Sequence, residues 1–530
     1  MKRGLWLALF FVVVLLAGTA RSHRLRDVFV DGKIYFLDAD CYSRMTRVLM
    51  VAEGRSWTIR HHDFENWPQG ITPHTTAPLD WLIVALSKLV KPGEGSVLRG
   101  QSLDLAGALI GPVLGMIACA FVALSRRSWW TLVAAGFVAV SPILVHGTSL
   151  GRPDHQALLI ALVAAALALE WRLLEKATRG VAAGAGVLWG VAWWVSLYEP
   201  LVLFALVLVA LAVARPAAFR ERERWWGWAA LLAVFGVSVL IDGWRVALPA
   251  AELREAFARW RLSIGELHAL DASLIFRWLG WACVLAPLAL GWQWRRAEAR
   301  WLLVLLVATF ALTCWQLRWG YFLALIFALS LPIQVEALAR RRWLAGVVMF
   351  VGLWPMAAEW DAALFNDDPL VARERLVQRM EAKALRAIAE EQGARNAGPF
   401  VAPWWLSPAI SYWSGQPGVA GSSHQSLPGI LDSARIFLAP DAGAALALLR
   451  ERRVAWVLAD VPERVVPTSS TLLGVAAPED CFAHDLMRAA FPEPWTLLLV
   501  PERSLPRMEN DIFKVWRVRG DTAPASVPAK

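Results

Sequence analysis

The sequence predicts an α-helical polytopic membrane domain of about eleven spans, followed by a smaller α/β domain outside the cytoplasm. Three observations carry this. Of the 530 residues, 57% are hydrophobic and only 18% charged, too few charges to wrap a soluble globule of this length. The 31 Trp are far above ordinary usage and gather near the ends of apolar runs, where an amphipathic ring suits a membrane interface. Apolar runs of roughly 16 to 22 residues recur until about residue 360 and then stop, each long enough to cross ~30 Å of hydrocarbon.

The runs come in order. Residues 1–20 have a basic start, an apolar stretch over 5–17 and small residues at Gly18 and Ala20, the pattern of either a cleaved signal peptide or a first span. The span is favoured, since both readings deliver the next segment outside and the rest of the chain is membrane-bound. Further runs begin near Leu103, Trp129, Ala157, Val181, Leu201, Trp226, Leu274, Leu303, Tyr321 and Leu344. Basic clusters at Lys2-Arg3, Arg126-Arg127, 172–179, 215–224, 295–300 and 340–342 fall on every second connection, which the positive-inside rule makes cytoplasmic. The net charge of +9 therefore reads as loop anchors and not as a nucleic-acid footprint. The opposite connections are extracytoplasmic: a long loop over 21–100, short ones near 147–154 and Glu199, a late one over 249–271, and one near Arg318.

These runs place residues 1–360 in the membrane domain and 361–530 in the outer α/β domain, which is long enough for its own core. In the latter, 369–392 reads as an amphipathic helix, 400–402, 454–458, 496–500 and 512–518 as strands, and 444–452 as a helix. Of the five Cys, Cys119, Cys283 and Cys314 lie in apolar runs, while Cys41 and Cys481 lie outside, where a bridge between them stays open.

Residues able to carry chemistry collect on the outer side. Asp38 and Asp40 flank Ala39 ahead of Cys41, Tyr42, Arg44 and Arg47, and paired carboxylates of this kind are hard ligands for a divalent cation. The competing reading is a solvated acidic loop. Gly151-Arg152-Pro153-Asp154-His155-Gln156 stands where a span begins, so Asp154 serves either a site or a helix cap. The late loop carries Ser263-Ile264-Gly265-Glu266, alternatively the wet face of a helix. Arg318 sits in an apolar neighbourhood at the outer end of a span, where a charge is costly and has a partner, a function, or a path to snorkel. Acidic loops and an intramembrane Arg on one side can together bind a metal and a lipid-linked phosphate.

As a set these motifs resemble the catalytic-subunit family of oligosaccharyltransferases, multi-span C-type glycosyltransferases, and the chain is similar to a divergent, bacterial-like member. The family's first outer loop has an Asp two places before a Tyr, as Asp40 stands before Tyr42, and continues with a segment such as 63–70 and Pro78-Leu79-Asp80-Trp81. Its Gly-x-x-Asp-x-(Asp/His) motif is matched by residues 151–156, its Ser-Val-Ser-Glu-like motif by 263–266, and its donor-phosphate arginine by Arg318. Three departures stand out. Gln156 replaces the second acid or His, Leu406 follows Trp404-Trp405 where the family has Trp-Trp-Asp, and about eleven spans compare with the family's usual thirteen.

The resemblance implies a transferase that moves a sugar or oligosaccharide from a polyprenyl (pyro)phosphate to an extracytoplasmic acceptor in the inner (plasma) membrane. Asp40, Asp154 and Glu266 are its expected catalytic residues. Asp40, Asp154 and His155 are the expected ligands of Mg²⁺ or Mn²⁺, Arg318 the donor-phosphate residue, and Glu266, Trp404 and Trp405 the acceptor contacts. The acceptor is a protein Asn, a glycan or a lipid; the missing acid at Leu406 weakens the Asn-x-Ser/Thr reading. Alternatives are transfer to a hydroxyl, as by an O-glycosyltransferase or glycan ligase, and a noncatalytic binder or transporter of lipid-linked glycan.

Overall fold

The structure, a computed structural model, describes residues 3–90, 102–126, 128–244, 251–338, 342–366, 368–488, 495–497 and 512–518. Lys2, Arg127, Arg340, Arg341, parts of the two outer loops (91–100 and 249–250) and the end of one expected strand (498–500) lie outside the described residues. The chain forms two compact units interleaved along the sequence. One comprises Met1–Ile34, Thr75–Arg245 and Gly265–Asp367, the other Tyr35–His74, Val246–Ile264 and Asp368–Lys530.

The first unit is helical apart from a two-residue hairpin, Phe29–Val30 (β1) against Lys33–Ile34 (β2). Every expected apolar run is a helix, but they differ in length. Arg3–Arg21, Ser102–Leu124, His155–Glu175, Arg222–Asp242, Ala297–Trp315 and Leu317–Ala337 are long and apolar enough to cross a bilayer. Ala272–Leu279 with Ala282–Trp292, and Gly346–Gly352 with Trp354–Leu364, reach that length only as pairs, bent by 75° and 47°. By length and apolarity alone, six helices, or up to eight with each bent pair taken as one, have the measure of a span among the described residues, and Trp129–Val140 and Tyr198–Ala214 are shorter apolar helices.

Local chemistry explains the shorter and broken helices. Helix Trp129–Val140 opens with a reciprocal Ser128–Thr131 capping box and ends after 12 residues at Ser141, held extended ahead of Pro142, which disfavours helical backbone in the residue before it. The first bent pair breaks at Gly280, whose φ of 70° only glycine adopts without strain and where a Cβ would come within 2.2 Å of the Gly352 carbonyl oxygen. Helices Arg179–Val195 and Tyr198–Ala214 have 17 residues each.

Small residues set the packing. A Cβ on Gly186 would lie 1.8 Å from the Gly227 carbonyl oxygen, so helices Arg179–Val195 and Arg222–Asp242 touch backbone to backbone. Exposed Trp225, Trp226, Trp244, Trp281, Trp292 and Trp315 sit at or near helix ends, as an interfacial belt requires. Arg21, fully buried, donates to Thr148 Oγ1 at 2.6 Å and to the carbonyls of Ala17, Ala139 and Val138 at 2.9 to 3.1 Å. Its own carbonyl accepts the Leu150 N–H, so this satisfied cation braces the connection that leads into Asp154.

The second unit holds a four-stranded mixed sheet of Phe400–Val401 (β3), Trp456–Ala459 (β4), Trp495–Leu497 (β5) and Lys514–Val518 (β6), in the order β3-β4-β6-β5. β3 and β4 are parallel and the other pairs antiparallel, with Val457 opposite Trp516. The parallel pair is joined through helices Ser407–Ser414, Leu427–Phe437 and Ala442–Glu451, the crossover that parallel strands require. Val401, Phe437, Val457, Phe482 and Trp516 fill the core.

Residues 35–74 belong to this unit through backbone bonds: Trp67 N–H to Gly418 O at 3.1 Å and Gly418 N–H to Phe64 O at 3.0 Å. Buried Arg452 clamps them, donating to Trp67 O at 3.0 Å and Gln69 Oε1 at 2.5 Å while pairing with Asp432. All five cysteines are free, so the Cys41–Cys481 bridge is absent.

Candidate functional site

The sequence-derived residues of the first unit converge. Asp154 ends the connection after Gly151 and is the N-cap of helix His155–Glu175, its Oδ1 accepting the His155 N–H at 2.6 Å and touching the His155 ring Nδ1 at 2.6 Å. The capping reading of Asp154 is therefore realised, and His155 stays on the same carboxylate. Gln156 is buried, and its side-chain oxygen has no hydrogen-bond partner.

Around Glu266 two arginines meet. Arg152 Nη2 donates to Glu266 Oε1 at 2.9 Å, and Arg318 Nη2 stands 3.9 Å from Oε2. Arg318 Nη1 reaches Glu199 Oε1 at 3.3 Å, and the other oxygen of Glu199 accepts from Ser196 Oγ at 2.8 Å. Tyr321 donates its hydroxyl to Glu266 at 3.1 Å and lies 3.2 Å from His146 Nδ1, while His146 Nε2 is 2.9 Å from Arg152 Nη1.

An arginine only donates, so His146 Nε2 must accept, and the neutral ring then carries its proton on Nδ1 and gives it to the Tyr321 oxygen. Donors and acceptors close in one direction from Arg152 through His146 and Tyr321 to Glu266. Glu199 is 2% exposed, whereas the Arg318 side chain is 22% exposed and its buried Nε–H has no partner. Two guanidinium groups held by carboxylates, one with a spare N–H and access to solvent, form a receptor for an oxyanion.

The other sequence-derived candidates lie in the second unit. Asp38 caps helix Ala39–Ala52 through the Cys41 N–H at 2.9 Å, which leaves Asp40 exposed in the first turn of that helix. Tyr42 is buried and its hydroxyl accepts the Phe36 N–H at 3.0 Å. Trp404 and Trp405 are half-buried and meet edge to face, with ring centroids 6.0 Å apart. Trp404 also packs on Trp260 at 6.1 Å, and Trp405 packs against the sheet core, so both have structural roles. At the end of β4, burial pushes the Asp460 carboxyl up to about 6, against the pull of the Val461 N–H and Arg464.

Among the described residues no group of three or more His, Cys, Asp or Glu side chains gathers as a metal site. The structure thus brings together Asp154 with His155, and Glu266 with Arg318. It adds Arg152, His146, Glu199 and Tyr321, to which sequence reasoning assigned no role. Arg152 had stood inside the 151–156 motif, and Tyr321 next to Arg318, but nothing local marks His146.

No family model matches the sequence. The dolichyl-phosphooligosaccharide-protein glycotransferase 1 of Archaeoglobus fulgidus is 26% identical over 225 residues, 39% of this chain and 36% of that relative, so the chain matches about a third of its length. Among solved structures, the Archaeoglobus fulgidus oligosaccharyltransferase tethered to an acceptor peptide containing the NVT sequon superimposes with a TM-score of 0.71 at 14% identity, covering 92% of this chain and 72% of that one. The same enzyme with Zn and sulfate gives 0.63 at 16% identity, covering 90% and 71%. ArnT from Cupriavidus metallidurans bound to undecaprenyl phosphate gives 0.56 at 14% identity, covering 99% and 100%. At these identities the likeness is one of fold, shared with the oligosaccharyltransferase and with ArnT, and with the long apolar helices it is that of a multi-pass membrane protein.

Proposed function

We propose that the protein is a membrane glycosyltransferase that moves a sugar or oligosaccharide from a polyprenyl (pyro)phosphate to an acceptor outside the cytoplasm. The observation that carries this is Arg318, held between Glu199 and Glu266 with an unpartnered N–H and an exposed edge. A lipid phosphate arriving there exchanges a carboxylate partner for its own oxygens, and the fixed guanidinium stabilises charge as the sugar C1 is attacked and the phosphate leaves. Glu266, with its charge shared by Arg152 and Tyr321, orients the attacking group. The fold's occurrence in an oligosaccharyltransferase tethered to an acceptor peptide and in ArnT bound to undecaprenyl phosphate supports a lipid-linked donor.

A divalent cation fits this reading. Asp154 supplies a carboxylate, His155 an imidazole, and the unpartnered Gln156 oxygen a neutral hard donor where a second acid would otherwise stand. With Asp40 as the further ligand, Mg²⁺ or Mn²⁺ would supply charge stabilisation at the departing phosphate. In this reading residues 1–360 form the inner-membrane part, the N-terminus is cytoplasmic, and residues 361–530 lie outside.

The acceptor is a protein Asn or a hydroxyl of a glycan or lipid. Leu406, which places no acid beside the paired Trp, favours the hydroxyl reading. The test is transfer from an undecaprenyl-linked donor by the purified protein, with and without EDTA, together with periplasm-active reporter fusions after Gly54, Arg222 and Gly415. Metal-dependent transfer and activity of the first and third fusions alone are expected. No transfer from any polyprenyl-linked donor, or the reverse fusion pattern, overturns the assignment.

A further inference from the structure

Away from the Glu266 cluster, the helical unit contains an aromatic groove that the transferase reading does not use. Helices Arg179–Val195 and Arg222–Asp242 are pressed together at Gly186 and Gly227, while Tyr198–Ala214 packs mainly on Ala297–Trp315. The gap left between them is a cavity of about 330 Å³, lined by Trp193, Phe204, Leu208, Phe219, Trp228 and Leu231, with no polar atom facing it. A volume of this order suits a small ligand or a length of hydrocarbon chain.

Its inner side is different. A smaller cavity that shares Phe204, Trp228 and Leu231 is walled by Arg224 and Glu170. Arg224 is 3% exposed and bonds Glu170 at 3.0 Å through Nη1, its Nε stands 3.7 Å from Glu221 Oε2, and its Nε and Nη2 groups make no hydrogen bond. Buried guanidinium N–H groups left unsatisfied are costly and point to a missing oxygen.

The mouth is cationic. Arg215 donates to the Leu174 carbonyl at 2.7 Å, which brings the 175–179 and 215–222 connections to one end of the helix group. Arg172, Lys176, Arg179, Arg220 and Arg222 are exposed there, while Glu175 is taken by Arg126 and Glu221 by Arg215, leaving Glu223 as the other acid on these connections. Helix Arg222–Asp242 also starts there without a side-chain cap, so its first N–H groups and dipole add to the positive field.

We infer that this groove binds one anionic phospholipid of the surrounding bilayer, with an acyl chain along the aromatic wall and the phosphate on Arg220 and Arg222. Hydrocarbon matches the lining, and the cationic rim selects the headgroup, since each basic residue near a membrane surface strengthens the hold on anionic lipid. The site does not depend on the transferase reading, because none of its residues belongs to the Glu266 cluster.

The test uses the full chain in mild detergent, titrated with phosphatidylglycerol or phosphatidylcholine and read by native mass spectrometry and by quenching of Trp fluorescence with brominated acyl chains. The wild type should retain phosphatidylglycerol about tenfold over phosphatidylcholine, and Arg220→Gln with Arg222→Gln should bring the two within about twofold. These side chains are exposed, so the double variant keeps the fold. Leu208→Trp, which fills the groove, should remove retained lipid of both kinds and the quenching with it. Equal retention of both lipids by the wild type, or an undiminished preference in the double variant, overturns the inference. Displacement of phosphatidylglycerol by equimolar undecaprenyl phosphate overturns it in favour of a polyprenyl chain.

Discussion

Arg152 and Glu266, 114 positions apart, meet at 2.9 Å, and through that bond one carboxylate holds a second arginine within reach of Arg318. The pair divides the charge of Glu266 between a 9%-exposed residue and a more accessible one. In a double-mutant cycle, Arg152→Gln and Glu266→Gln should therefore couple by about 1 kcal/mol or more in transfer rate, because each leaves the other charge uncompensated. Strictly additive losses would show that the contact has no catalytic consequence.

Arg318→Lys replaces a planar fork by a point charge and should lose roughly tenfold in kcat/KM for the lipid donor, the worth of about one hydrogen bond to a charged group. Arg318→Ala should lose about a hundredfold or more. Wild-type turnover in the alanine variant would mark Arg318 as an interfacial anchor.

Asp154 both caps a helix and is a candidate metal ligand, and Asn separates the two roles. Asn caps helices about as well as Asp, so Asp154→Asn should unfold within ~0.5 kcal/mol of the wild type yet lose most transfer activity. Asp40→Asn should behave alike, since exposed Asp40 has no capping role and Asp38 provides that bond. Full activity of either variant in metal-replete buffer would remove that residue from the mechanism.

Asp460 sets a pH dependence of stability. Its folded pKa of about 6 lies above the unfolded value of about 3.9, so the folded protein binds the proton more tightly. Ionisation above pH ~6 then costs about 3 kcal/mol of stability relative to acid pH, with the loss developing between pH ~4 and ~6. Asp460→Asn should raise the melting temperature at pH 7.5 and leave it near the wild-type value at pH 4. A variant less stable than wild type at pH 7.5 would show that the Arg464 contact outweighs the burial.

The acceptor side predicts weak discrimination. A site built to hydrogen-bond a hydroxyl rejects ligands without one by a large factor, and Leu406 offers no such group. Asn-x-Thr and Asn-x-Ala peptides should be used alike, if at all, in an assay with the correct donor. Strict dependence on the Thr hydroxyl would mean that another residue reads it.

What the sequence by itself determined is the part written in local physics. Apolar runs dictate the helices, the strands near 400, 456 and 516 follow from β-rich clusters, and Arg318 is conspicuous because a charge among apolar residues is expensive without a partner. Tertiary structure alone decided the rest. Span length turned on where Ser141-Pro142 and Gly280 break a run that composition leaves continuous. The membership of residues 35–74 in the unit with the sheet rests on bonds between Trp67 and Gly418 that no local pattern announces. His146 is an ordinary residue in an apolar stretch until folding sets it between Arg152 and Tyr321. A hydrogen-bonded charge cluster is a property of long-range closure, and its members earn their meaning from one another in space and not from their neighbours in the chain.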